Sequence, residues 1–281
     1  MTEAFYRQTD QTTTADGRTL ETFASSHHTA SPWGAEIQHG GPVAALLVRA
    51  MERLDPRERT RITRVCVDIL GAVPVSDVRV SAHTLRPGRR VEQLAATLEA
   101  RLPDGTWRTA ARATAWRLAT QPTGDVARCA DTPLGPRESD VDGLAGFPVP
   151  ESWHPGGFVA AATWEAVHLG TAPGEPTTAW VRLDVDLVQD ETTSGLAQLI
   201  AIADAANGLG ARLDTTRFSY LNTDLTLQVH GEPVGPWFGM AAETSVGADG
   251  VGMADAVLHG ADGPIGRVTQ NLLVERRPTP S

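Results

Sequence analysis

Apolar positions recur along this chain at two spacings, and the order in which those spacings appear is used twice. In residues 43–54, Val43, Leu46, Leu47, Ala50 and Leu54 fall on one stripe, the spacing of a helix with one buried face. Four runs follow, at 61–70, 75–85, 91–101 and 107–118, which read as strands. Gly and Pro clusters at 71–74, 86–89 and 103–105 separate them and predict hairpin turns. The plan then returns. A second apolar helical run covers 196–209, with strand-like segments at 161–169 and 178–188 before it and at 221–230, 237–245, 251–259 and 265–274 after it. The clearest local match pairs Val73-Pro74-Val75 with Glu232-Pro233-Val234, each leading into a long strand and a Gly turn, Gly88 and Gly247. A period this long, seen twice, predicts two copies of one α+β unit rather than a solenoid. Each copy is expected to be an antiparallel sheet with a helix on one face.

The boundaries follow from the same pattern: a first unit over 1–118, a linker over 119–157 and a second unit over 158–281. Residues 1–30 read as a polar lead-in with room for one strand. The linker is rich in Pro, Gly, Asp and Thr, and Phe147, Trp153 and Phe158 predict that parts of it pack on a surface. The Arg-Arg-Pro-Thr-Pro tail reads as a terminus without structure.

Composition narrows the function classes. The chain has 281 residues and a formal net charge of −10, and its basic side chains are all Arg, with no Lys. That charge opposes nucleic-acid binding, and an anionic ligand would need a local Arg patch. Without Lys there is no Schiff-base chemistry. Met1–Thr14 is polar, so no secretory leader is expected, and no segment approaches the roughly 18–20 apolar residues of a membrane span. Cys66 and Cys129 are unrelated thiols, which fits a reducing compartment, the cytoplasm. A homo-oligomer is left open.

Asp204 is the strongest chemical signal. It is the only acid in the apolar run 196–209, beside the buried stripe, where an Asp has poor helix propensity and a costly charge. The competing reading is a solvated flank position. Gln270 shares strand parity with Val268, Leu272 and Val274, so its amide is expected to point inward, where it can hold a water or a carbonyl or simply be a satisfied core amide. Asn222 and Thr223 open the strand from Asp224, and Thr223 shares parity with Leu225, Leu227 and Val229. Either reaches the end of the helix site or caps a turn. Gln38-His39-Gly40-Gly41-Pro42 opens the first helix, with Pro suited to its first position. Its unpaired amides and two glycines suit an oxyanion. His39 is a candidate base or a cap. Arg86, Arg89 and Arg90 flank a turn and are candidates for a phosphate. There is no Gly-x-Ser-x-Gly elbow, no zinc spacing and no phosphate loop or dinucleotide fingerprint.

These residues together resemble the double-hotdog acyl-CoA thioesterases, in the acyl-CoA thioesterase II-like and thioesterase-like group. The resemblance runs from about Trp33 to Val274. It rests on Gln-His-Gly-Gly-Pro-Val-Ala-Ala-Leu-Leu at 38–47, Ile-Ala-Asp-Ala-Ala-Asn-Gly at 202–208, Leu-Asn-Thr-Asp-Leu-Thr at 221–226 and Gly-Arg-Val-Thr-Gln at 266–270. It implies two tandem hotdog units, each a sheet wrapped around a long helix, with the sheets joined edge to edge. It implies a catalytic set of an Asp, a Ser or Thr and a Gln, matched here by Asp204 and Gln270. Asn222 stands where that family has its hydroxyl, and Thr223 follows one place later.

The implied reaction is hydrolysis of an acyl-CoA or carrier-bound acyl thioester, a step of lipid metabolism, with no metal or cofactor. Water would be held by Gln270 and Asn222 or Thr223 and activated by Asp204; direct attack by Asp204 is the other chemical route. Two competing readings stand beside it. A dehydratase or cyclase of natural-product metabolism would pair His39 with Asp204. A non-catalytic binding protein for an acyl ligand would explain the missing hydroxyl at Asn222.

Overall fold

The computed structural model describes residues 3–135, 154 and 156–277. The first half runs β1 (Ala4–Thr13), β2 (Thr19–Ser25), β3 (Ala30–Ser31), β4 (Gly34–Gln38), α1 (Gly40–Glu52), β5 (Thr60–Ile69), β6 (Val78–Arg86), β7 (Val91–Arg101) and β8 (Trp107–Ala119). The second runs β9 (Ala162–His168), β10 (Thr177–Leu183), β11 (Asp186–Val188), α2 (Gly195–Ala203), α3 (Ala206–Gly210), β12 (Phe218–Asn222), β13 (Asp224–Val229), β14 (Trp237–Val246), β15 (Val251–Gly260) and β16 (Gly263–Arg276).

The repeat expected from the hydrophobic pattern governs the topology. The front half orders its strands β1-β2-β6-β7-β8-β5, and the back half continues β13-β16-β15-β14-β10-β9, the same order reversed. The halves meet where β5 pairs antiparallel with β13, Val65 opposite Leu227. The sheet also curls around the helices. Only Asp184 and Val185 separate β10 from β11, yet β11 pairs parallel with β1 at the far edge. Two residues span under about 10 Å, so the far edge is drawn back toward β10.

Four expectations need correction. The lead-in holds two strands, β1 and β2, which bury Phe5, Tyr6 and Phe23. The outer positions of β1 are a polar run, which hides its alternation. The cluster at 71–74 is not a hairpin, because β5 pairs with β8 and β13 and the chain crosses to β6. The segment 178–188 is two strands in different parts of the sheet. The second helical run breaks into α2 and α3 after Ala203, so Asp204 caps a helix instead of lying inside one. Phe147 and Trp153 lie outside the described residues, as does the tail beyond Arg277.

One hydrophobic cluster spans both halves and includes Leu46, Leu47 and Met51 of α1, Leu199 and Ile200 of α2, and Val65 and Leu98 of the sheet. Each such side chain, fully buried, contributes about 1.5–3 kcal/mol. The helices run antiparallel, as their ends show. Gly41, at the start of α1, lies against the Ala201 carbonyl late in α2, and Glu52, at the end of α1, accepts a 2.6 Å hydrogen bond from Ser194, the N-cap of α2. Beside them Arg49 is 7 % exposed and donates to Glu21 at 2.9 Å and to Glu191 at 2.7 and 2.8 Å. Hydrogen bonding and charge from Arg49 hold the Glu191 carboxyl below its ordinary value of 4.5.

Removing one partner of a buried ion cluster strands the others without compensation. Arg49→Met is therefore expected to lower the free energy of unfolding at pH 7 by about 3–5 kcal/mol, measured by urea denaturation. A carboxyl with a depressed folded-state pKa stabilises above its unfolded value and loses that contribution as pH falls through the folded one. The gap between variant and wild type should then narrow as the pH drops below 4.5. A difference under about 1 kcal/mol at pH 7 would show that the cluster is no more than a surface ion pair.

Candidate active site

The site is made where α1 begins and α2 ends. The α2 run Leu196–Ala203 is almost wholly buried, and its helix stops at Asp204, whose N–H still reaches the Ile200 carbonyl at 3.3 Å. A helix end leaves backbone groups unpaired, and a buried end needs partners for them. Gln270 supplies two. Its Nε2 donates to the Asp204 backbone carbonyl at 3.0 Å, and its Oε1 accepts from the Asn207 N–H at 3.0 Å. Gln270 is 1 % exposed, on the inward face with Val268 and Leu272, as its parity requires. It thus clamps both sides of the break between α2 and α3.

The Asp204 side chain is 3 % exposed. Its Oδ1 accepts from Asn222 Nδ2 at 2.7 Å and Gln270 Nε2 at 3.3 Å, and its Oδ2 lies 3.0 Å from His39 Nδ1. The helix ends act on this charge in opposite senses. The carbonyl end of α2 disfavours it, and the amide end of α1 favours it. Close approach to α1 depends on glycine, for a Cβ on Gly40 would sit 2.7 Å from Asp204 Oδ2 and one on Gly41 would sit 2.4 Å from the Ala201 carbonyl oxygen. Gly40 thus admits the protein's own carboxylate, and Gly41 admits the α2 backbone. Pro42 is the third residue of α1, not the first, and is still within the first turn, where an N–H has no intrahelical acceptor.

His39 Nδ1 lies 3.0 Å from the Gly41 N–H as well as 3.0 Å from Asp204. A ring nitrogen accepts or donates, not both. With Nδ1 bare it caps α1 and donates nothing to Asp204. With Nδ1 protonated it donates to Asp204 and the cap is lost. The His39–Asp204 proton is thereby coupled to the start of α1. The imidazole is stacked on Phe158, ring centres 4.1 Å apart, which fixes its plane.

Asn222 and Thr223 part company because β12 and β13 are separate strands on β16. Asn222 closes β12 opposite Leu272, and β13 begins at Asp224. Asp224 Oδ1 accepts from the Asn271 N–H at 2.9 Å and the Thr223 hydroxyl at 3.3 Å. That break turns Asn222 onto Asp204 and leaves Thr223 in the cavity lining but largely exposed, with its hydroxyl on Asp224.

Arg86, Arg89 and Arg90 are not brought to the site. The Arg90 carbonyl accepts from the Ala119 N–H, and Ala119 pairs with Thr60 at the start of β5, whereas the site lies beyond Ile69 at its end. Nine strand residues, about 30 Å, separate the two.

A cavity of about 280 Å³ opens onto the carboxylate, walled by Trp33, Phe158, Trp164, Tyr220, Leu209 and Leu273. Among the described residues, Asp204 and His39 are its only Asp, Glu, His or Arg side chains. The aromatic wall was not foreseen. Phe158 is fully buried in it, where surface packing was expected, because the chain after 156 folds back under Ala30, whose carbonyl accepts from the Phe158 N–H. Among the described residues no group of three or more His, Cys, Asp or Glu side chains is placed to hold a metal ion, and no helix is long and apolar enough to cross a membrane.

Solved structures place the chain in the hotdog class. A conserved hotdog-fold protein of unknown function from Alicyclobacillus acidocaldarius matches with a TM-score of 0.67 at 15 % identity, covering 96 % of this chain and 97 % of that one. The acyl-CoA thioesterase II TesB2 of Mycobacterium marinum matches with 0.65 at 13 %, covering 97 % of each. The dehydratase domain of RzxB from Pseudomonas fluorescens matches with 0.53 at 11 %, covering 98 % and 100 %. No curated protein matches. The family comes from sequence models: an acyl-CoA thioesterase N-terminal domain matches residues 29–118 and an acyl-CoA thioesterase C-terminal domain matches 138–274. The chain belongs to the acyl-CoA thioesterase family and is a thioesterase.

The two amides should separate in their effects. Gln270→Ala strands a buried carbonyl and a buried N–H, and is expected to cost about 2–4 kcal/mol of unfolding free energy. Asn222→Ala frees one oxygen facing the cavity and is expected to cost under about 1 kcal/mol. Paired urea titrations check this. Equal losses for the two would show that Gln270 does not clamp the helix break.

Proposed function

We propose that the chain hydrolyses acyl thioesters, using a water held between Asn222 and the Asp204 carboxylate. The observation that carries this reading is the Asp204 carboxylate at the inner end of an apolar cavity, with Asn222 on one oxygen and His39 on the other. Asn222 donates one amide hydrogen to Asp204, leaving its second N–H and its carbonyl oxygen for a water. Gln270 spends its amide on the Asp204 carbonyl and side chain and acts as a positioning residue. The water oxygen attacks the thioester carbonyl carbon as its proton passes to Asp204, with His39 sharing that proton through Nδ1. The Gly40 N–H at the start of α1 is assigned to the developing oxyanion, since the Gly41 N–H is taken by His39 and Pro42 has none. The C–S bond then breaks and the thiolate leaves as a good leaving group. Thr223 takes no part.

The repeated strand order and the β5–β13 pairing support two hotdog units, 1–118 and 158–281, joined at their sheet edges with 119–157 between them. The second unit carries a broken helix in place of a continuous one.

A thiol-release assay over a panel of acyl-CoAs tests the reading. Asp204→Asn, which keeps shape and hydrogen bonds, is expected to lower kcat by roughly 10²–10⁴-fold with unchanged far-UV circular dichroism. Turnover at the wild-type rate would refute the site.

The cavity lining also supports an uncharged acyl group. Among the described residues no Arg lines it, so a carboxylate on the acyl tail would be buried there without a partner. Succinyl-CoA is expected to show kcat/KM at least about 100-fold below butyryl-CoA, and parity between the two would contradict this reading.

The 3.0 Å His39–Asp204 contact favours a second reading, a dehydratase in which His39 takes the proton α to the carbonyl and Asp204 protonates the leaving hydroxyl. A 3-hydroxyacyl-CoA yielding an unsaturated thioester, with His39→Ala alone inactive, would establish it. Thiol release from simple acyl-CoAs by His39→Ala would exclude it.

A further inference from the structure

A cluster of guanidinium groups lies outward from the cavity along β12, and the reaction just proposed does not use it. Side chains alternate along a strand, so Asn222, Tyr220 and Phe218 share a face. Asn222 touches Asp204. Tyr220 lines the cavity and meets Trp33 edge-on, ring centres 5.0 Å apart. Phe218 lies four residues from Asn222, about 13 Å further out. Its ladder partner is Arg276, whose guanidinium carbon lies 5.0 Å from the Phe218 ring centre, and Arg217 lies 5.6 Å from the same ring. Arg277 lies 5.6 Å from the Trp33 ring, and its N–H donates to the Arg217 carbonyl at 2.8 Å.

Three like charges are thus gathered in a chain whose net charge is −10. Arg49, Arg79 and Arg182 in the same chain each hold a carboxylate. Among the described residues Arg217, Arg276 and Arg277 enter no salt bridge, and Asp214 acts on Arg217 only beyond ion-pair distance. Arg277 Nε is also shielded from solvent without a hydrogen-bond partner. The rings hold the guanidinium planes in place, and neither ring neutralises their charge. An anion with several acceptor oxygens would take up their donors and relieve their mutual repulsion.

We infer that Arg217, Arg276 and Arg277 bind the phosphate at the end of the thioester's pantetheine arm, with the thiol end of that arm at Asn222 and Asp204 and its length laid over Tyr220 and Trp33. The inference rests on the thioester reading above and moves the phosphate subsite from the β6–β7 turn to the mouth of the cavity. A phosphorylated pantetheine arm occurs in coenzyme A, which adds a 3′-phosphorylated nucleotide, and on acyl carrier proteins, which do not.

The test is calorimetric titration of the full chain and of Arg276→Gln/Arg277→Gln with adenosine 3′,5′-bisphosphate and with 4′-phosphopantetheine. Steady-state kinetics on butyryl-CoA and butyryl-pantetheine, which has no phosphate, complete it. At least one phosphorylated probe should bind wild type, and the double variant should bind it at least tenfold more weakly. The variant's KM for butyryl-CoA should rise at least tenfold with kcat within twofold, while its KM for butyryl-pantetheine stays unchanged and reports an intact fold and site. Binding of the bisphosphate identifies coenzyme A as the source, and binding of phosphopantetheine alone identifies a carrier protein. Equal binding of both probes by variant and wild type, no binding of either, or equal wild-type KM values for the two thioesters would overturn the subsite and leave the hydrolase standing. Phosphate binding through these arginines with no thioester turnover would leave the subsite standing and sink the hydrolase.

Discussion

Every feature of this site depends on one contact, the meeting of the amide end of α1 with the carboxylate that ends α2. Asp204 Oδ2 lies 3.0 Å from His39 Nδ1, and Gly40 is close enough that a methyl group there would collide with the carboxylate. A carboxylate at a helix C-terminus is in an unfavourable field on its own. Here the first turn of a neighbouring antiparallel helix opposes that field. The remaining cost of burial is offset by amide donors from two strands, Asn222 of β12 and Gln270 of β16. Two copies of one α+β unit supply the two helix ends, so the site exists only between the halves.

The same contact accounts for the irregularities of the second half. A continuous helix over 196–209 would carry Asp204 past α1 on a rigid rod. The break after Ala203 releases the Asp204 carbonyl and the Asn207 amide, and both are taken by Gln270. The break between β12 and β13 has a matching effect on the strand side, since it turns Asn222 inward while Asp224 binds the Asn271 amide. Two interruptions of regular structure, each satisfied by a side chain, converge on one carboxylate. The opposite pair of helix ends, where α1 finishes and α2 starts, carries instead the Ser194–Glu52 hydrogen bond and the Arg49 ion cluster, in which Arg53 also reaches Glu191 at 3.3 Å.

The long-range plan of the fold was legible in the sequence because burial on one face leaves a periodic trace. The apolar stripe of α1 and the strand at 91–101 describe real elements, and the two Pro-Val segments lie in the equivalent connections that precede β6 and β14. Asp204 and Gln270 stood out for the same reason, as polar residues where the period demands apolar ones, and they meet. Partners reached only through tertiary contact were not legible. β1 shows its burial in Phe5 and Tyr6 alone, and the crossing from β5 to β6 uses the same Gly and Pro residues as a hairpin. Parity could not separate Asn222 from Thr223, since both line the cavity and only the break before β13 gives one to Asp204 and the other to Asp224. The aromatic wall of Trp33, Phe158, Trp164 and Tyr220 comes from four separate segments, and no local pattern links them.

The central claim is that this carboxylate activates a water and does not itself attack the acyl group. A single turnover of stoichiometric acyl-CoA in H₂¹⁸O, followed by mass spectrometry of the released acid and of the peptide containing Asp204, tests it directly. The account predicts one heavy oxygen in the acid and none in the peptide. Label in the Asp204 peptide, with the acid released unlabelled in that first turnover, would mean that the carboxylate forms an anhydride and that the water is not held where Asn222 and Asp204 would place it.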